Sequence, residues 1–126
     1  MKLAERTISA IGKIVTGNEE LSPYRSGPDL IRLFNEFGAN DIYGQGFPSR
    51  WQYAEDKLRS LNGTPAIGAV LCHVLDPREF MNMDQSVAKA VEFINGWLKY
   101  DGYEVVIDNG IAKLRDLSGG SVTLKH

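Results

Sequence analysis

Cysteine is nearly absent. Cys72 is the only one in 126 residues, so an intramolecular disulfide is excluded, and two histidines beside it are too few for a Cys/His structural zinc site. No cofactor and no metal are expected. An excess of one charge is missing as well: 14 Lys+Arg against 16 Asp+Glu leave a net charge of -2, which removes the footprint of a protein that holds nucleic acid by bulk electrostatics. No apolar run approaches the roughly 20 residues needed to span a bilayer. The opening Met1-Lys2-Leu3-Ala4-Glu5-Arg6-Thr7 sets opposite charges where a signal peptide needs an unbroken apolar stretch. The expectation is a cytoplasmic protein, neither secreted nor membrane-inserted. Asn62-Gly63-Thr64 has the form of a glycosylation sequon, but without a secretory signal it reads as a helix stop followed by a helix start.

What is present suits one domain over residues 1–126. Hydrophobic residues make up 43%, too many for a disordered chain and enough for a core. Leu3, Ile8, Ile11, Ile14 and Val15 fall near the 3.6 period, and Gly17 can close that first helix in a left-handed cap. Ser26-Gly27-Pro28-Asp29 supplies the N-cap, early proline and acid of a second helix running to about Phe37. The stretch Ala39 to Pro48 holds two glycines and a proline with Ile42, Tyr43 and Phe47, and reads as a loop with buried anchors. Ser49 caps a third helix to Leu61 with Trp51, Ala54, Leu58 and Leu61 as its apolar stripe. A fourth spans Pro65 to Leu75, and Asp76-Pro77 opens a further turn carrying Phe80. Asn82 or Asp84 caps a fifth to Tyr100, with Val87, Val91, Phe93, Ile94, Trp97 and Leu98 apolar.

After Gly102 the period changes to two. Asn109-Gly110 between β-rich runs signals a hairpin, and Ser121 to Lys125 reads as a third short strand. The expected fold is α+β: five to six helices over 3–100, then a hairpin or three-stranded antiparallel meander over 103–125, in a winged-helix-like order. So small a sheet must lay its apolar face on the helices.

Candidate chemistry is sparse. Asp29 with Glu55 and Lys57 satisfies the bare P-D…E-x-K pattern of metal-dependent nucleases, but those residues project from strands of one sheet, and here they fall on two helices. A helix cap and an exposed helix face are the plainer expectation. Cys72 and His73 are neighbours pointing about 100° apart on a helix, which argues against a nucleophile and base pair. Cys72 is expected in or near the core and His73 toward solvent. Gly44-Gln45-Gly46 lacks the remainder of either phosphate-loop fingerprint. A winged-helix reading would place the last helix, with Lys89 and Lys99, in a major groove, while Lys57, Arg50, Arg59 and Arg78 form a scattered basic set. Ile42, Tyr43, Phe47, Trp51 and Tyr53 are dense enough to anchor a partner or to cement a loop onto the core.

Phe34 to Tyr53 (FNEFGANDIYGQGFPSRWQY), then Leu61-Asn62-Gly63-Thr64-Pro65, then Leu98-Lys99-Tyr100-Asp101-Gly102-Tyr103-Glu104-Val105, resemble the amino-terminal domains of bacterial AbiJ-like abortive-infection proteins. The likeness covers roughly Tyr24 to Arg115. It implies a sensing or regulatory module that precedes a separate effector, often a HEPN-type ribonuclease, and that does not itself catalyse. The HEPN signature Arg-x-x-x-x-x-His is not supplied here, since the histidine following Arg78 is His126. The chain then reads as the front module, expressed alone or cut from a longer protein. The resulting expectation is a non-enzymatic recognition domain of an antiphage system. It contacts a protein partner or effector through Tyr43, Gln45, Phe47, Arg50 and Trp51. A homo-oligomer is left open, nucleic-acid binding is the alternative that is not favoured, and a small metal-dependent nuclease is the second alternative.

Overall fold

In a computed structural model, residues 1–117 are described. Five α-helices, α1 (Glu5–Thr16), α2 (Gly27–Asn35), α3 (Arg50–Leu61), α4 (Pro65–Val74) and α5 (Val87–Leu98), precede an antiparallel hairpin of β1 (Tyr103–Asp108) and β2 (Ile111–Asp116). Short 3-10 turns follow α4 (Pro77–Phe80) and α5 (Lys99–Asp101). The third strand expected at Ser121 to Lys125 lies outside the described residues.

The local signals act as their chemistry predicts. Ser26 and Asp29 form a reciprocal capping box at the start of α2. Asn109 and Gly110 both have positive φ, 54° and 77°, as the tight turn between twisted strands requires. Two boundaries differ from expectation. α5 starts at Val87 and is capped by Ser86, whose hydroxyl accepts from the Lys89 amide at 3.3 Å, while Asn82, at φ 62°, and Asp84 lie before it. α2 ends at Asn35, two residues before Phe37.

α1 is the central element, with Ile8, Ile11, Ile14 and Val15 fully buried against α3, α4 and α5. The hairpin packs β1 on α5 and β2 on α4. Its register pairs Val105 with Leu114 and Ile107 with Ala112, which puts Val105, Ala112 and Leu114 on the inner face. The opposite face carries Glu104 bonded to Arg115, and Lys113 paired with Asp108 at 3.1 Å.

Three asparagine amides tie backbone to this frame in the same way, each donating to the carbonyl and accepting from the amide of one residue. Asn62 clasps Leu3 at 2.9 and 2.8 Å, Asn95 clasps Val105 at 2.9 and 2.7 Å, and Asn35 clasps Asp41 at 3.1 and 3.0 Å. Each satisfies two main-chain groups that no helix or strand partner reaches. The asparagine of the sequon-like triplet is thus one of these clasps.

Candidate functional site

The segment between α2 and α3 runs some distance without regular structure, and loops of that kind in small domains are commonly functional. Its entry is pinned at Asp41. Besides the Asn35 clasp, the Asp41 carboxylate accepts from the Tyr53 hydroxyl at 2.8 Å and meets the Lys57 ammonium at 2.6 Å. Those two contacts, Lys57 foremost, hold the Asp41 carboxyl below the usual carboxylate range. Burial, reinforced by the same carboxylate, pushes the Tyr53 phenol well above the ordinary tyrosine value.

An aromatic ladder secures the middle. Tyr43 and Phe47 have ring centroids 4.9 Å apart, Phe47 and Tyr53 4.9 Å, and Tyr53 meets Phe34 edge-on at 5.9 Å. The Tyr43 ring also occupies the notch left by Gly27: a Cβ there would stand 2.3 Å from Cε1 of the ring. Between the loop and α3 lies an open cleft of about 350 Å³ with Ile31, Phe47, Pro48 and Tyr53 in its walls.

The exit is pinned by Arg50. Its Nε donates to the Arg25 carbonyl at 2.8 Å, one terminal nitrogen donates to the Asn18 side chain at 2.7 Å, and the other donates to the Thr16 carbonyl. The guanidinium also lies 4.0 Å from the centroid of the Tyr24 ring. Arg25, itself buried, donates to the Val15 carbonyl at 3.2 Å and to Glu79 at 2.7 Å. Two cations therefore answer the last carbonyls of α1, where the helix dipole is negative.

The structure sorts the expected contact residues. Tyr43 (52% exposed) and Gln45 face solvent, and Gln45 has no hydrogen-bond partner among the described residues. Phe47 is the loop's half-buried anchor. The expectation of buried anchors is corrected for Tyr43, which is about half exposed, and for Ile42, which is 93% exposed and is the strongest apolar projection of the loop. Arg50 serves as an internal clamp, with all three of its nitrogens bonded within the chain. Trp51 does not join the buried stripe of α3, which is Tyr53, Ala54 and Leu58. It stands 53% exposed beside Asn18 and Glu19, because α1 has already ended opposite the first turn of α3.

The other candidates are dispersed. Asp29 is engaged in the α2 cap, Glu55 faces Ser9 and Arg59, and Lys57 faces Asp41, so the nuclease-like trio lines three different clefts. Among the described residues no group of three His, Cys, Asp or Glu side chains could hold a metal ion. Burial pushes the Cys72 thiol up, away from a reactive thiolate. His73 is half-buried, edge-on to Phe37 at 5.9 Å, instead of facing solvent. A second cleft of about 410 Å³ near Arg25 and His73 is lined by three carboxylates, of which Glu79 is answered by Arg25 and Asp29 by its cap and Arg32, with Glu36 the third. The basic set is largely engaged: Arg59 with Glu5, Glu55 and Asp56, and Arg78 with Asp76.

No helix among the described residues is long and apolar enough to cross a membrane. Compared with protein-family models, with curated proteins and with solved structures, the chain matches none.

Proposed function

We propose that the chain is a non-catalytic recognition domain whose α2–α3 loop and first α3 turn dock on a protein partner. The observation that carries this reading is the pairing of exposure with restraint. Ile42, Tyr43 and Trp51 offer apolar surface to solvent, while Asp41, Phe47 and Arg50 hold the segment that displays them. A surface ordered before binding loses less entropy when it binds, and exposed aromatics are the side chains on which interface energy concentrates.

The resemblance to AbiJ-like amino-terminal domains supports the same direction, a cytoplasmic regulatory module of a bacterial antiphage system that acts on a separate effector. Nucleic acid is the less favoured partner. The winged-helix reading draws on the hairpin and the helix before it; Lys113 and Arg115 are paired across the hairpin's outer face, which leaves it Lys89 and Lys99 alone.

The test is a pull-down from bacterial extract with wild type against Tyr43→Ala/Trp51→Ala. Both side chains are about half exposed, so the double variant is expected to fold and to lose specific capture. Unchanged capture sinks the reading.

A further inference from the structure

We infer that Asn109 is a site of spontaneous modification, at which the folded chain converts its own asparagine to aspartate and isoaspartate; the recognition reading carries no part of this. Asparagine followed by glycine is the pair that cyclises most readily, because no side chain on the second residue obstructs attack by its amide nitrogen. The chain has three such pairs, Asn62-Gly63, Asn95-Gly96 and Asn109-Gly110. The fold treats them differently.

Two of the pairs are locked at both reacting groups. The Asn62 side chain is held on Leu3, and the Gly63 amide donates to the Met1 carbonyl at 2.9 Å. The Asn95 side chain is held on Val105, and Gly96 sits within α5, where its amide belongs to the helix ladder. At the hairpin tip neither group is held. Asn109 and Gly110 are exposed, and among the described residues the Asn109 side chain and the Gly110 amide have no hydrogen-bond partner. A Cβ on Gly110 would meet nothing within 4 Å, so the space around that amide is open as well.

Hydroxide from solvent takes the Gly110 amide proton. The nitrogen then bonds to Cγ of Asn109 as the Cγ–Nδ2 bond breaks, and the departing nitrogen takes a proton from water and leaves as ammonia. Water adds to one of the two carbonyls of the succinimide ring and opens it, giving aspartate, or isoaspartate where the main-chain carbonyl is attacked. No oxidant or reductant is needed. Either product places a new negative charge beside Asp108, whose Lys113 partner stands at 3.1 Å. Isoaspartate also lengthens the backbone of the tight turn between Asp108 and Ile111, which is built on positive φ at both of its central residues. The tip thus accumulates a change of charge and of turn length as the molecule ages.

Peptide mapping of the full chain over time in warm, mildly alkaline buffer tests this, with a protease that cleaves before aspartate but not before isoaspartate to separate the products. In the folded protein residue 109 is expected to convert roughly tenfold or more faster than residues 62 and 95, which must first open at least two hydrogen bonds each. In urea, where the clasps are gone, the three rates should converge. Conversion of residue 62 or 95 in the folded chain at the rate of residue 109, or a residue 109 that converts in urea but not when folded, overturns the inference. A preference for residue 109 that persists undiminished in urea assigns the selectivity to local sequence and overturns it too.

Discussion

The main-chain carbonyl of Arg25 accepts from Nε of Arg50 at 2.8 Å, so the two arginines that cap α1 also brace each other. Arg50 ties three pieces of chain, the end of α1, the connector and the start of α3, through a fork that lysine cannot reproduce. Arg50→Ala is expected to cost about 2–3 kcal/mol, from charge-assisted bonds lost and carbonyls left unpaired. Arg50→Lys should recover less than half of the loss. Urea midpoints of the three proteins check this.

The Asn95 clasp on Val105 is the joint between α5 and the hairpin. Asn95→Asp keeps the shape but withdraws the donor and sets a carboxylate against the Val105 carbonyl, an expected loss of about 1–3 kcal/mol. Hydrogen exchange should show β1 amides opening first. The same change at Asn35, where the pair with Asp41 is exposed, should cost less than about 1 kcal/mol because water replaces the lost bond.

Legibility followed the range of the interaction. The capping box at Ser26 and Asp29 and the Asn109-Gly110 turn are short-range devices, complete within four residues, and both could be read directly. The asparagine clasps and the Arg50 fork join residues as far as 59 apart in the chain, where no local period exists to reveal them. Trp51 was misleading for a related reason. Its spacing to Ala54 and Leu58 is helical, but whether a first-turn residue is covered depends on where α1 stops, at Thr16. In the loop, an aromatic and glycine-rich composition marked the region, while only the fold could separate the anchor Phe47 from the projecting Ile42.

Acid should loosen the loop before it unfolds the chain. Asp41 has its folded-state value depressed by Lys57 and Tyr53, so its contribution is fully present above the ordinary carboxylate range near pH 4 and is lost as pH falls through the lower folded value. The depressed Asp29 carboxyl, held chiefly by the Ser26 amide, adds a loss of the same sign. Asp41→Asn should therefore show a shallower decline of the urea midpoint below about pH 4 than wild type. Identical slopes would remove Asp41 from the account.

Gly27→Ala tests the seat of Tyr43. A methyl group there collides with the ring edge, and the ring, already half exposed, can swing away. Global stability should change by less than about 1 kcal/mol, because Gly27 is buried only against a half-exposed ring that can give way. Amide exchange in residues 42–47 should rise, and capture of the partner should weaken.

The first helix depends on a residue synthesised long after it. The Asp101 carboxylate accepts from the Ala4 amide at 3.1 Å and from the Thr7 hydroxyl, at the start of a helix whose own N-cap position, Ala4, has no side chain to offer. During synthesis α1 leaves the ribosome with that end bare, and the contact that closes it spans 97 positions. Such a domain completes itself late, and a nascent chain that stalls before Asp101 presents the apolar face of α1, Ile8, Ile11, Ile14 and Val15, to whatever chaperone is nearest.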